Sequence, residues 1–233
     1  MDASRIRFPS ESLLSSDDLS LWQEALNRYS EALESVSSRK GKDLVALDEW
    51  YRHEAKEVIT NRHPWSLNSL ELKKIMLWKI TRGKFRPLMK LIESNTDEQV
   101  RETSSLSFTA LRNGEYEASM QILTSLRGVG VATASAILSL LEPNEFPFMS
   151  DEALLSVLPS SKKDYSLKSY SLMKAALKSK AEALGGSFTS EDIGRALWVR
   201  VVLLTGTKSK SPPPKDASIA SHATPPPNKR RRR

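Results

Sequence analysis

Hydrophobic side chains along the first 207 positions recur at intervals of three and four residues, which is the spacing of one helix face. Leu19 and Trp22 start such a series, and this series predicts a helix over 17–37. A second series predicts a helix that follows the loop 39–42 and ends before Pro64, because proline cannot continue a helix. No segment alternates apolar and polar residues as a half-buried strand would. The pattern therefore predicts an all-α body.

The ends of the other predicted helices are marked by residues that cap or break helices. Thr96 and Gln99 form a capping box, in which a hydroxyl and an amide satisfy two free backbone N–H groups. Ser190 is predicted to be the N-cap of the last helix. These signals place the other helices at 68–80, 88–93, 97–112, 115–126, 132–141, 151–158, 166–184 and 191–204. The sequence leaves open whether 96–184 forms a lobe of its own within the body 1–207.

Charge changes the picture at the C-terminal end of the chain. The formal net charge of +7 belongs to 208–233, where eight Lys and Arg face one Asp, so 1–207 is neutral overall. The same segment holds two proline triplets and is too polar to offset the entropy lost on ordering, so we expect a disordered tail. Its basic end is typical of a nuclear import signal bound by an import receptor, or of a solubilising tail; it consists of Lys229, Arg230, Arg231, Arg232 and Arg233.

Composition also excludes several kinds of site. The chain has no cysteine, which excludes disulfides, thiolate-bound zinc and iron–sulfur clusters. It has only three histidines, His53, His63 and His222, and they show no ligand spacing. No apolar run approaches the roughly 20 residues that span a bilayer. We therefore expect no metal, no cofactor and no membrane association, while the oligomeric state stays open.

Basic residues within the neutral body cluster in two places. Residues 73–90 contain seven Lys and Arg without an acid, and 162–180 contain six lysines with one aspartate. Trp78 lies on the apolar side of its helix and is predicted to be a core residue, whereas Phe85 is either core or a platform for a base. Unless these faces are merely solvated, the first cluster offers four phosphate contacts, namely Lys79, Arg82, Lys84 and Arg86.

The most informative stretch is 126–138, which reads LRGVGVATASAIL. Two glycines within five residues predict a tight turn between two helices, and small residues after it let those helices pack closely. Backbone N–H groups at the turn and at the new helix N-terminus form a site for phosphate, so we expect binding to a nucleic-acid backbone without base preference. The predicted contacts are Arg127, Gly128, Val129, Gly130 and Thr133. The alternative is an ordinary turn between two helices.

This stretch resembles the helix-hairpin-helix of the DNA glycosylase superfamily typified by endonuclease III. In that family an aspartate follows the hairpin by about twenty residues, and here Asp151 lies nineteen residues after Ala132. The resemblance covers about 110–205 and implies a multi-helix glycosylase-like body that binds double-stranded DNA. It also implies that Asp151 faces an extruded nucleotide, stabilises the oxocarbenium-like sugar as the base leaves, and positions the attacking water.

The chain departs from the family pattern at three points. Ala132 occupies the position of the lysine that performs lyase chemistry in bifunctional members, so the resemblance implies at most a monofunctional N-glycosylase. Glu152 and Ala153 follow the aspartate in place of the family's Thr-His, and the absence of cysteine excludes the iron–sulfur cluster that many members hold. Asp151 also has a structural interpretation, because an aspartate there is a good N-cap.

Three hypotheses follow from these features. The chain is a nuclear, monofunctional DNA N-glycosylase of base excision repair, with Asp151 as the catalytic carboxylate. Alternatively, it is a glycosylase-like fold that binds nucleic acid, DNA or RNA, without chemistry. The third is an adaptor whose helical body binds protein and whose hairpin is only a turn.

Overall fold

The computed structural model describes residues 13–40, 43–159 and 164–208, and every regular element within these ranges is helical. This confirms the predicted all-α class. Of the predicted tail only Lys208 is described, so the import signal at 229–233 lies outside the described residues. The α-helices are α1 (Leu19–Asn27), α2 (Tyr29–Lys40), α3 (Leu44–Glu49), α4 (Ala55–Thr60), α5 (Ser69–Arg82), α6 (Met89–Glu93), α7 (Asp97–Arg112), α8 (Tyr116–Thr124), α9 (Val131–Leu138), α10 (Asp151–Val157), α11 (Leu167–Ala183) and α12 (Ser190–Lys208).

The first two predicted helices are divided more finely in the structure. The predicted helix over 17–37 is broken at Arg28, whose φ of −92° and ψ of 13° leave the helical region, and α1 and α2 both pack against α12. The second predicted helix contains a π-helical stretch, Trp50–Glu54, between α3 and α4. This stretch places Trp50 and Tyr51 in the core. Apolar spacing missed both irregularities because it records only which face is buried.

Side-chain caps define most helix starts. The predicted capping box before α7 is confirmed, since the Thr96 hydroxyl accepts the Gln99 N–H at 3.1 Å and the Gln99 amide oxygen accepts the Thr96 N–H at 2.9 Å. The predicted N-cap of α12 is wrong. Thr189 fills that role, because its hydroxyl accepts the N–H of Asp192 at 3.0 Å. Ser190 instead donates its hydroxyl to the carbonyl oxygen of Pro143 at 2.9 Å, which ties α12 to the segment before α10.

The core is one connected cluster of buried side chains that runs from Leu13 to Leu203. Trp78 is fully buried in it, as predicted, and its ring stacks on Tyr51 with 3.7 Å between ring centres. The hydroxyl of Tyr51 donates to the carbonyl oxygen of Ala136 in α9 at 2.5 Å. These contacts attach the π-helical stretch and α5 to the second helix of the hairpin.

A buried polar network lies beside that stack. Asp48 accepts hydrogen bonds from the Tyr29 hydroxyl at 2.6 Å and from the Trp78 indole at 2.7 Å, and it pairs with Arg52 at 3.1 Å. Every charge in this network therefore has a partner, as a buried charge requires. The network joins α2, α3 and α5, and Trp198 of α12 lies against Tyr29. Among the described residues no helix is both long and apolar enough to cross a membrane.

The predicted hairpin between α8 and α9 is held from outside by α6 and the residues after it. The Asn95 side chain accepts the Arg127 N–H and donates to the Arg127 carbonyl oxygen, each at 2.9 Å. Gly128 has a φ of +81°, and a Cβ at this position would lie 3.0 Å from the Leu91 Cβ and 3.1 Å from the Ile92 nitrogen. At Gly130 the backbone is extended, and a Cβ would meet nothing within 4 Å.

The two hairpin glycines are therefore expected to respond differently to alanine. Gly128→Ala should lower the free energy of unfolding by ~2–4 kcal/mol, because the new Cβ adds backbone strain and a clash with α6. Gly130→Ala, the matched control, should change the free energy of unfolding by less than about 1 kcal/mol. Urea denaturation of both variants measures the difference. Equal losses would show that the packing of Gly128 on α6 does not stabilise the hairpin.

Candidate functional site

A cleft of about 240 Å³ forms where the end of α5 and the loop after it meet the starts of α9 and α10. We call it the hairpin cleft. It brings together seven of the predicted site residues, although they come from segments up to 72 positions apart. These residues are Lys79, Arg82, Lys84, Arg86, Gly130, Thr133 and Asp151.

Asp151 is half-buried in this cleft as the first residue of α10. The N-cap of α10 is Ser150, whose hydroxyl accepts the N–H of Ala153 at 3.1 Å, so the interpretation of Asp151 as the cap is wrong. The Asp151 carboxylate instead accepts a hydrogen bond from the Tyr165 hydroxyl. Glu152, also half-buried, adds a second carboxylate to the lining of the cleft.

Tyr165 is a site residue that the sequence analysis missed. Burial, and then its hydrogen bond to Asp151, raise the pKa of Tyr165 to about 12. The phenol is therefore protonated at neutral pH and is the hydrogen-bond donor to the carboxylate. The guanidinium of Arg86 lies 4.8 Å from the centre of the Tyr165 ring. In the sequence, Tyr165 stands out only as an aromatic residue within the lysine-rich segment 162–180. This does not indicate that it contacts Asp151.

The ammonium of Lys79 interacts electrostatically with the Arg86 cation and the Asp151 carboxylate. Burial, and then the neighbouring Arg86 cation, lower the pKa of Lys79 to about 8 against the opposing attraction of Asp151. The charge of this ammonium therefore changes close to physiological pH. Lys84 is exposed and Arg86 partly so, as phosphate contacts need to be, and Phe85 is 65% exposed rather than part of the core.

Arg82 is buried, unlike a phosphate contact on an open surface, which would face water. Only 4% of its surface is exposed, because its guanidinium packs on the ring of Trp198 at 4.1 Å. The rings of Phe148 and Trp78 lie at 5.4 and 5.5 Å from the guanidinium carbon. Arg82 still lines the cleft, so it forms part of a rigid floor rather than a mobile surface side chain.

The hairpin residues divide between packing and the cleft. Val129 is buried and its N–H donates to the Leu126 carbonyl oxygen at 3.1 Å, so this N–H is already used within the hairpin. Gly128 contacts α6, and Arg127 is exposed outside the cleft lining. Gly130 lines the cleft at the N-terminus of α9 and provides no side-chain cap, and Thr133 is buried beneath it.

The chemistry available in the cleft is that of four cations, two carboxylates and a protonated phenol. Within the described ranges no three His, Cys, Asp or Glu side chains form a group that could hold a metal ion. Comparison with known proteins finds no matching family model, no matching curated protein and no matching solved structure. The function of this chain is therefore inferred from the geometry of the cleft.

The half-buried ammonium of Lys79 is expected to reduce stability at neutral pH. At pH 7 the native state must keep a proton that burial disfavours, so Lys79→Met should raise the free energy of unfolding by ~1–3 kcal/mol. Between pH 8 and 10.5 the unfolded chain binds more protons at this position than the native state. Wild-type stability should rise with pH in this window and the gap to Lys79→Met should close.

Urea denaturation of both proteins between pH 6 and 10.5 measures this gap. The matched control is Lys90→Met, at an exposed position of α6, where no such pH-dependent gap is expected. A Lys79→Met variant that is less stable than wild type at pH 7, with a constant gap across the range, would contradict the assignment.

Proposed function

We propose that this protein is a nuclear DNA-binding protein of the helix-hairpin-helix glycosylase type and acts as a monofunctional DNA N-glycosylase. One observation carries the proposal. Asp151, the N-terminus of α9 at Gly130 and the basic side chains of the loop after α5 line the same cleft. A carboxylate ringed by phosphate-binding groups is the arrangement that cleavage of a nucleotide's glycosidic bond needs. The basic C-terminal residues support import into the nucleus, where the substrate lies.

The charges of the cleft suit an extruded nucleotide. Lys84 and Arg86 hold the phosphates on either side of it, and the free N–H groups at the start of α9 bind the backbone without reading bases. With a volume of about 240 Å³ the hairpin cleft is smaller than the ~300–1,000 Å³ typical of drug-sized ligands, which suits one nucleoside unit.

In the proposed reaction the C1′–N bond breaks, its electron pair leaves with the base, and positive charge develops on the sugar. The Asp151 carboxylate stabilises that charge and accepts a proton from the water whose oxygen bonds to C1′. The Tyr165 phenol holds the carboxylate in place through its hydrogen bond. Repair of damaged bases is the process that such a reaction serves.

A second candidate is binding without chemistry. The observation that favours it is the same hydrogen bond, because Tyr165 already occupies an oxygen of the carboxylate that would have to accept the proton of the water. In this case the protein recognises a distorted or unpaired nucleotide and holds it. The two candidates share every contact to the strand and differ only in the release of a base.

Binding is tested at Gly130, where a side chain fits without a clash. Gly130→Asp adds a good N-cap to α9 and should leave the fold at least as stable, while its charge repels phosphate. Its affinity for a duplex should be ~10-fold lower than that of Gly130→Asn, the neutral control of the same size. The slope of log affinity against log salt should fall by about 1. Equal affinities of the two variants would show that DNA does not bind at the N-terminus of α9.

Catalysis is tested at Asp151 with a panel of damaged and mismatched duplexes. Wild type should release a free base from at least one of them, and Asp151→Asn should be at least ~100-fold slower while binding is retained. Glu152→Gln, which removes the neighbouring carboxylate of the cleft, is the matched control and should keep most of the activity. Equal release by wild type and Asp151→Asn would exclude Asp151 as the catalytic group. If wild type binds DNA in a way that depends on Gly130 but releases no free base, binding without chemistry is favoured.

A further inference from the structure

A second cleft of about 680 Å³ continues from the hairpin cleft. Its far walls are the end of α2, with Arg39 and Lys40, and the middle of α12, with Val201 and Val202. We call it the α12 cleft. The two clefts form one trench, because five residues line both of them, namely Arg82, Gly83, Lys84, Asp151 and Glu152.

Arg82 lies at the junction of the two clefts with unused hydrogen-bonding capacity. Its Nε is buried and has no hydrogen-bond partner among the described residues. No carboxylate of the described ranges forms an ion pair with it, whereas the partly buried Arg52 is paired with Asp48. A buried cation without a counter-ion costs free energy, which an anion from outside would recover.

The aromatic rings around Arg82 fix its guanidinium without using its donors. The centre of the Trp198 ring lies 4.1 Å from the guanidinium carbon, and the centres of Phe148 and Trp78 lie at 5.4 and 5.5 Å. Rings attract the cation through their faces, which leaves the N–H groups on the guanidinium edge for an acceptor. A planar guanidinium held in this way is preorganised for the paired oxygens of a phosphate.

We propose that Arg82 is an anion site that binds a phosphate group at the junction of the hairpin cleft and the α12 cleft. Lys84, which lines both clefts, adds a second cation to it. The source of the phosphate rests on the proposed function, under which it is a phosphodiester of the strand whose nucleotide enters the hairpin cleft. The strand then continues along the α12 cleft past Arg39, an exposed side chain whose Nε donates only to its own helix at Ser35.

The anion site is tested by thermal unfolding of the full chain with inorganic pyrophosphate, against sodium chloride of equal ionic strength. A ligand raises the melting temperature only if it binds the native state better than the unfolded chain. At a concentration tenfold above its Kd, pyrophosphate should raise the melting temperature of wild type by ~2–4 °C. Arg82→Met should lose this shift.

Two further variants give the controls. Arg112→Met removes an arginine that also lies over a ring, 5.1 Å from the centre of Trp65, but outside both clefts, and it should keep the shift. Arg82→Lys keeps the positive charge but replaces the planar guanidinium by an ammonium, so it should lose at least half of the shift in melting temperature. This variant tests the same site if Arg82→Met does not fold. Without pyrophosphate, Arg82→Met should melt no lower than Arg112→Met, since it removes an unpaired charge. No shift in wild type, or the same shift in both Arg82 variants, would overturn the proposal.

A single-stranded oligonucleotide in place of pyrophosphate distinguishes the sources of the phosphate. Arg82-dependent binding of the oligonucleotide that Arg39→Gln weakens, while the pyrophosphate shift of Arg39→Gln stays unchanged, supports a strand along the α12 cleft. An Arg82-dependent pyrophosphate shift without any oligonucleotide binding keeps the anion site and assigns it to a small phosphate compound. In that case the proposed function fails and the anion site stands.

Discussion

The buried carboxylate of Asp48 is the constraint on which the rest of the structure depends. An ionised group in an apolar core must have all its partners in place, and those of Asp48 come from α2, the π-helical stretch and α5. Its bond to the Trp78 indole fixes the rotation of α5, and the stack of Trp78 on Tyr51 carries that orientation to α9, since Tyr51 donates to Ala136. The position of the cleft follows, because its two walls are the end of α5 and the start of α9.

The electrostatics of the cleft are those of a small, mixed set of charges rather than of a uniformly basic surface. Burial lowers the pKa of Lys79 and raises that of Tyr165; the Arg86 cation adds to the first shift, and the hydrogen bond to Asp151 adds to the second. Charges in a half-buried space interact more strongly than on an open surface, since water screens them less. The trench therefore combines cations with carboxylates at defined positions, although the net charge of 1–207 is zero.

The hairpin shows how one short motif combines two separate requirements. Gly128 is needed because its backbone conformation and its contact with α6 leave no room for a side chain, so this glycine serves packing. At Gly130 the space is open, and what matters is the uncapped start of α9 beside the cleft. The first glycine lets the hairpin pack against Ile92, and the second leaves the start of α9 without a side-chain cap. The two glycines stand two residues apart in the sequence, yet Gly128 contacts α6 and Gly130 lines the cleft.

Local chemistry along the chain was enough to predict the all-α class, most helix ends, the capping box at Thr96 and the hairpin, because each depends on residues within about four positions of one another. The same reasoning named the basic residues of 73–90 as candidates, and the family resemblance named Asp151, but neither showed that these residues share one cleft. Sequence reasoning also offered Asp151 as the cap of α10, gave no sign that Arg82 is buried, and missed Tyr165. Those points depend on groups that meet only after the helices pack. Burial and the pairing of charges are properties of three-dimensional neighbours, and in this protein only the tertiary structure decided them.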